Sequence, residues 1–203
     1  MLPQIQIENA RVEKSFENNS IPLEENIGQF GGKNFTVFFW FKTSENSRYF
    51  DIAGNRIDGS HGNFLCIRMT GKHETAPEGM LCVEVDENGY GLNYIPIESK
   101  ENGLNDGKWH HVFVVRKENK LSVFIDGQFS KENTGSGVAN IKNPTEFRLG
   151  RSYSGFENVE IEFRDFRIYQ DALVEEDLKT IYQQAFDVYG DETKVLRFEE
   201  RDA

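Results

Sequence analysis

The chain has 203 residues, the size of one domain, and we expect residues 1–203 to share a single core. Its formal net charge of −11 argues against nucleic acid and anionic membranes as partners, because both attract basic surfaces. No segment approaches the ~18 apolar residues that a membrane span requires, which predicts no membrane insertion. The first residues also lack the charged and apolar regions of a signal peptide.

Aromatic content and the first apolar runs favour β-structure. Seventeen Phe, seven Tyr and two Trp are typical of a core between pleated sheets. In chain order, 5–8 alternates and predicts a first strand, and 35–42 is apolar at nearly every position. The run 35–42 therefore predicts a strand that is covered on both faces. A further strand is predicted at 48–53, before a polar loop.

The next pair of strands, 64–69 and 80–85, carries the two cysteines. Alternation places Leu65 and Ile67 on one face and Cys66 on the other, and it places Cys82 on the more polar face of the partner. A simple antiparallel register puts the two cysteines opposite each other or nearly so. Two alternatives follow: two reduced, partly buried thiols, or a cross-strand disulfide, which would indicate an oxidising compartment.

The stretch from Asp106 to Gly127 predicts a β-hairpin around which the rest of the sheet is arranged. Residues 109–115 are apolar or aromatic almost throughout, which predicts a central strand, and 121–125 alternates as its partner. The strand before it, 90–97, contains Pro96, which favours the edge of a sheet. The loop 133–138 has a lone Gly-Ser-Gly, too little for a phosphate cradle.

The C-terminal part predicts a faulted strand, one helix and a closing strand. Within 159–169 the apolar residues change parity, so we expect a β-bulge near Arg164-Asp165. Apolar residues at helical spacing predict a helix over 173–185. A closing strand at 193–198 is predicted to pair with 5–12. Many short strands and one helix indicate an all-β fold: a two-sheet antiparallel sandwich with one short C-terminal helix.

Several of these stretches together resemble a known family. Gly107-Lys-Trp-His-His-Val followed by Leu121-Ser-Val-Phe-Ile-Asp-Gly resembles the core motif of laminin-G-like domains in the concanavalin A-like lectin/glucanase superfamily. Segments 34–42, 147–151 and 165–178 resemble further family motifs in the same order. The resemblance implies a jelly-roll sandwich that is usually a binding or adhesive module, often for carbohydrate and often with calcium. It favours a secreted or cell-surface module.

The resemblance also bears on where a ligand would lie. It implies calcium ligands near Asp58, Asn63, Glu157 and Asn158, in loops whose oxygen-bearing side chains suit this cation. Four tyrosines are candidates for stacking on sugar rings: Tyr49, Tyr90, Tyr94 and Tyr153. The sequence therefore predicts that rim loops around 55–63 and 151–158 hold a carbohydrate or a protein ligand. The position of the usual helix-capping Ser is occupied by Val174, which leaves one N–H without its partner.

Catalysis is the less favoured interpretation. Trp109, His110 and His111 lie inside a predicted central strand, where one His would pack and the other would bond across the sheet. The pairs Glu84/Asp86 and Glu160/Glu162 each share a strand face at about 6–7 Å, but neither reproduces the carboxylate pattern of a concanavalin-like glucanase. We therefore expect a non-catalytic binding module. The alternatives are a structural or assembly domain and a glycoside hydrolase or lyase on the same fold.

Overall fold

The computed structural model describes residues 5–12, 20–24, 26–46, 49–56, 61–72, 75–152 and 159–189. Its elements in chain order are β1 (Ile5–Val12), β2 (Ile21–Pro22), β3 (Phe35–Thr43), β4 (Phe50–Gly54), β5 (Phe64–Met69), β6 (Leu81–Glu87), β7 (Leu92–Glu98), β8 (Trp109–Lys117), β9 (Lys120–Ile125), β10 (Gln128–Thr134), β11 (Arg148–Ser152), β12 (Ile161–Tyr169) and α1 (Glu175–Tyr189). Within this part of the chain, no helix is both long and apolar enough to cross a membrane.

The strands form two antiparallel sheets that pack face to face as a jelly-roll sandwich. Sheet I has the order β1-β12-β3-β8-β9-β10, and sheet II has the order β2-β11-β4-β5-β6-β7. The predicted hairpin is confirmed, because β8 lies between β3 and β9 in the middle of sheet I. Pro96 lies in β7, which is an edge strand of sheet II as predicted.

The main core lies between the two sheets and is built by strand alternation. Val112 and Val114 of β8 face Val83 and Val85 of β6 across it, and all four side chains are fully buried. Burying an apolar side chain of this size contributes about 1.5–3 kcal/mol, so the more than thirty residues of this cluster dominate the free energy of folding.

Helix α1 covers the other face of sheet I. Phe38, Trp40 and Phe113 project from that face and pack with Leu178 and Tyr182 of the helix, forming a second apolar cluster. Helix α1 begins two residues later and ends four residues later than the predicted helix over 173–185. The Val174 N–H bonds to the Asp177 carboxylate at 3.3 Å, which is one half of a capping box. The N–H that a capping Ser would accept belongs to the first turn of the helix, so the expectation about Val174 stays a prediction.

The predicted bulge in β12 is present. The register between β12 and β3 shifts between Arg164 and Arg167, and Asp165 adopts a positive φ of 48°. The shift lets Ile161 and Phe163 share the core with Phe166 and Ile168, although the two pairs have opposite parity. The Asp165 carboxylate is buried and receives two hydrogen bonds from Arg167, at 2.5 and 2.7 Å.

One expectation about strands needs revision. Strand β10 occupies 128–134 and pairs with β9, so part of the predicted loop at 133–138 is strand. Its alternation is weak because four of its residues are exposed, which hides an edge strand from pattern reading. Strand β1 pairs with β12 along the edge of sheet I. The predicted closing strand at 193–198 lies outside the described residues.

Candidate functional site

The outward face of sheet II is polar, although nearly all residues of its strands β5 and β6 are buried. In β5 and β6 the residues Leu65, Ile67, Val83 and Val85 enter the core, so the alternate positions point outward. Those positions, with neighbouring loop residues, form a connected group that we call the outward polar cluster: Asp51, Arg56, His61, Cys66, Arg68, Glu84, Asp86 and Tyr94.

Glu84 is the centre of this cluster. Arg56 donates to Glu84 Oε2 at 2.5 Å, and Arg68 donates to the same oxygen. The Tyr94 hydroxyl donates to the other oxygen, Oε1. Because three donors converge on this buried carboxylate, they offset the cost of removing its charge from water. Burial and the bond to Glu84 together raise the pKa of Tyr94, which keeps the phenol protonated.

His61 and Asp86 form the second part of the cluster. Asp86 is fully buried and accepts hydrogen bonds from the backbone N–H groups of Gly62 and Glu87 at 3.3 and 2.9 Å. His61 Nδ1 lies 2.6 Å from Asp86 Oδ2, and the imidazole side chain is 48% exposed. The carboxylate therefore fixes the ring with Nδ1 as donor and leaves Nε2 on the solvent side. The His61 ring also meets Tyr94 edge to face at 5.3 Å.

The two cysteines lie on this face, and neither is in a disulfide. The register pairs Cys66 with Glu84 and Cys82 with Arg68, so the cysteines are diagonal neighbours rather than opposite each other. Cys66 Sγ donates to Asp51 Oδ1 at 3.4 Å. Burial, and then the charge of Asp51, raise the pKa of Cys66 well above its usual value, and burial raises the pKa of Cys82 to about 12. Both thiols are therefore protonated at neutral pH and poorly nucleophilic.

Three of the four candidate tyrosines lie in the described residues, and all three are near this face. Tyr94 is half-buried within the cluster, and the Arg68 guanidinium lies over the Tyr49 ring at 5.3 Å. Tyr90 is 96% exposed in the turn between β6 and β7. That turn reaches His61, since a Cβ added at Gly91 would lie 2.8 Å from His61 Cε1. Tyr153 lies outside the described residues.

Of the four predicted calcium ligands, the structure describes only Asn63. Its amide Nδ2 donates to the Asn140 carbonyl at 2.5 Å, and its backbone carbonyl accepts a hydrogen bond from the Asn143 amide. Asp58, Glu157 and Asn158 lie outside the described residues. Among the residues that are described, no group of three or more His, Cys, Asp or Glu side chains could hold a metal ion. One amide does not define a site, so calcium stays a prediction.

The other candidate chemistry is distributed over separate parts of the fold. His111 is buried against Phe38, Trp40 and Tyr182, while His110 bonds to Asp126 at 2.7 Å and to Asp106 at 3.2 Å. As expected, His111 packs against apolar and aromatic side chains, and His110 forms hydrogen bonds to two carboxylates. Glu160 is exposed, and Glu162 pairs with Lys42 at 3.4 Å on a partly exposed surface. These acids form a solvated edge rather than an enclosed pair.

A concavity lies at the rim of the sandwich, and we call it the rim cleft. It has a volume of about 620 Å³ and is lined by Glu24, Asn26, Ile27, Gln29, Lys142, Asn143, Pro144, Thr145 and Glu146. Its two walls are joined by hydrogen bonds, among them Asn143 N–H to Gln29 Oε1 at 2.9 Å. Among the described residues that line the rim cleft none is aromatic and none forms a buried ion pair, unlike in the outward polar cluster.

The comparison with protein families decides the assignment of the chain. A family model described as the concanavalin A-like lectin/glucanases superfamily matches residues 16–179, most of the sequence. The chain belongs to this superfamily. The resemblance seen in the hairpin motif is thereby confirmed, and so is the jelly-roll fold. No curated protein sequence matches this superfamily member.

Solved structures with the same fold include toxin binding domains and a sialidase module. The binding domain of Paraclostridial Mosquitocidal Protein 1 aligns with a TM-score of 0.64 at 16% identity, covering 91% of this chain and 47% of that one. The binding domain of botulinum neurotoxin serotype D aligns with a TM-score of 0.65 at 16% identity, covering 88% and 42%. The chain therefore spans less than half the length of these toxin domains.

A smaller structure is matched over nearly its whole length. The CBM40 module of the Ruminococcus gnavus IT-sialidase, solved bound to α2,3-sialyllactose, aligns with a TM-score of 0.68 at 12% identity. The alignment covers 89% of this chain and 99% of that module. At this level of identity the likeness establishes the fold that the two share.

The sequence predicts Tyr49, Tyr90 and Tyr94 as ligand-binding candidates but does not indicate the charged residues beside them. No local pattern in the sequence assigns a role to Arg56, Arg68 or His61. The alternation of β6 already placed Glu84 and Asp86 on one face. The missing signals were the register of β5 and β6 and the positions of Arg56 and His61, which bring the arginines and the histidine to those two carboxylates.

Proposed function

We propose that this protein is a non-catalytic binding module that holds carbohydrate on the outward face of sheet II, at the exposed edge of the outward polar cluster. The observation that carries the proposal is the meeting of Tyr94 and His61 beside the Glu84 network. Saccharides are bound by planar polar side chains that accept and donate to hydroxyls, next to aromatic rings that cover apolar C–H faces. This face offers both in a fixed arrangement.

The fixed arrangement supports binding rather than catalysis. Both oxygens of Glu84 accept bonds from neighbouring side chains, and Asp86 is fully buried under His61. A retaining glycosidase needs one carboxyl as acid and another as nucleophile, both facing the scissile bond. Neither Glu84 nor Asp86 is open to such a bond. The fold neighbours, which are receptor-binding domains and a sialidase module bound to sialyllactose, are in keeping with a binding role.

A glycan array followed by titration calorimetry on the best ligand tests this proposal. Tyr94→Ala removes the ring and the hydroxyl, and we expect about tenfold weaker binding, since one stacking and hydrogen-bonding side chain contributes about 1–2 kcal/mol. Tyr90→Ala in the adjacent turn is expected to weaken binding by a smaller factor. Lys142→Ala in the rim cleft is the matched surface control and should leave affinity unchanged.

The control variant also separates the alternatives. If Lys142→Ala abolishes binding and Tyr94→Ala does not, the ligand lies in the rim cleft and the proposed location is wrong. If the intact protein binds no glycan on the array, the carbohydrate proposal fails and a protein ligand or an assembly role is favoured. Release of reducing sugar from a bound glycan would contradict the non-catalytic assignment.

A further inference from the structure

Both guanidinium groups of the outward polar cluster are paired with a carboxylate inside the cluster. Arg56 and Arg68 are its two guanidinium groups, and both donate to one oxygen of Glu84. These two contacts are charge-assisted hydrogen bonds, and the side chains involved are only about a tenth exposed, at 10% and 11% for the arginines and 10% for Glu84. Each arginine therefore already directs one N–H group at a carboxylate of the protein, and an acidic ligand would compete with Glu84 for those groups.

Two further carboxylates add negative charge to the same face. Asp86 lies two residues along β6 from Glu84, and Asp51 lies on β4, beyond Cys66. The described members of the cluster thus carry three carboxylates against two guanidinium groups. The chain as a whole has a formal net charge of −11.

We infer that the saccharide bound here is uncharged, and that sugars bearing a carboxylate or sulfate are discriminated against. This inference rests on the proposed function. An acidic sugar would have to displace Glu84 from both arginines, or lie beside Glu84 and Asp86 at the cost of like-charge repulsion. A neutral sugar meets no such cost. Its hydroxyls can bond to His61 Nε2, while its C–H face covers the rings of Tyr94 and Tyr90.

Matched pairs of glycans on an array test the inference, each pair differing only by an added sialic acid, uronate or sulfate near the bound end. We expect the neutral member of each bound pair to bind about three- to fivefold more tightly, the size of a partly screened charge interaction. Calorimetry on the best neutral glycan should give an affinity that is nearly independent of salt concentration, because no counterions are released.

The Glu84→Gln variant tests whether the charge of Glu84 sets the selectivity between neutral and acidic glycans. A purely structural role of Glu84 would leave that selectivity unchanged. The variant removes the charge that holds both arginines, so the selectivity should shift toward the acidic member of each pair. The salt titration of the unmodified protein decides the question even if this variant does not fold. Tighter binding of acidic members, weakened by salt, overturns the inference while leaving carbohydrate binding intact. Absence of binding to either member instead removes the proposed function itself.

Discussion

At the scale of single residues, two adjacent histidines show how position in a strand sets opposite chemistry. His110 lies at the rim between Asp126 and Asp106, whereas His111 is fully buried beneath α1. Burial opposes protonation of His110, but the hydrogen bond and charge of Asp126, joined by Asp106, outweigh it and raise its pKa above 6.5. Burial lowers the pKa of His111 to about 3.

These shifts predict opposite effects on stability. Protonated His110 favours the folded state, so its contribution is complete below about pH 6.5 and is lost as pH rises through the raised pKa. His111 is protonated more readily in the unfolded chain. Its effect therefore favours the folded state above about pH 6.5, and stability falls by up to ~1.4 kcal/mol per unit as pH decreases toward 3.

The variants His110→Asn and His111→Asn test the two signs separately. Asparagine keeps a hydrogen-bonding group near the position of Nδ1, which in His111 accepts the Gly127 N–H at 3.2 Å, and it does not titrate. Urea unfolding should be measured from about pH 4 to about pH 8. His110→Asn should lose more stability near pH 6 than near pH 8. His111→Asn should be less acid-sensitive than the parent protein, and equal acid sensitivity would contradict the assignment.

At the scale of elements, turns depend on glycines whose surroundings differ. Gly28 has a φ of +77°, and an added Cβ would fall on the Phe147 ring, which lies in the core. Gly103 has a φ of +69° with nothing within 4 Å of the added atom. Gly89 has neither an unusual φ nor a neighbour within that distance. The three sites therefore separate steric overlap from backbone strain.

Replacing each of these glycines by alanine should give a graded loss of stability. Gly103→Ala is expected to cost about 1 kcal/mol for the left-handed conformation alone. Gly28→Ala should cost more than about 2 kcal/mol, because the Phe147 ring must move within a close-packed core. Gly89→Ala should be nearly neutral. Denaturant midpoints of the three variants measure the order, and a Gly28→Ala cost no greater than that of Gly103→Ala would contradict it.

At the scale of the whole molecule, calcium remains the open prediction from the family resemblance. The proposed ligands Asp58, Asn63, Glu157 and Asn158 come from two loops that are far apart in sequence. A cation bound between them would stabilise the folded chain by about 2.7 kcal/mol at a hundredfold excess over its Kd. For a chain of this length such a gain raises Tm by roughly 5–11 °C.

Thermal unfolding of the full chain with calcium, with chelator and with magnesium measures this effect. Calcium should raise Tm and magnesium should raise it less, because Mg²⁺ releases its bound water reluctantly. Asp58→Asn should weaken the calcium response, and Asp187→Asn on the exposed face of α1 is the control. An identical Tm under all three conditions would exclude a calcium site of useful affinity.

Much of the fold could be predicted from local patterns, because alternation and turn residues act over a few positions. The central strands 35–42 and 109–115, the edge strand with Pro96 and the bulge at Asp165 all follow from such patterns. Strand β10 was not predicted, because most of its residues are exposed and show no apolar alternation. The buried Arg116 also has no local signature. It donates to the carbonyls of Gly31, Lys33 and Ala139, which come from two distant loops.

The sequence by itself determined the framework: which strands are central, which residues enter the core, and to which superfamily the chain belongs. It also placed Glu84, Asp86 and both cysteines on one face of a strand pair. Only the tertiary structure decided that Arg56, Arg68, His61 and Tyr94 join those acids, and that the cysteines are diagonal rather than opposite. The reason is physical. Strand faces follow from a period of two residues, whereas side chains brought together from separate strands and loops depend on register and on the paths of those loops.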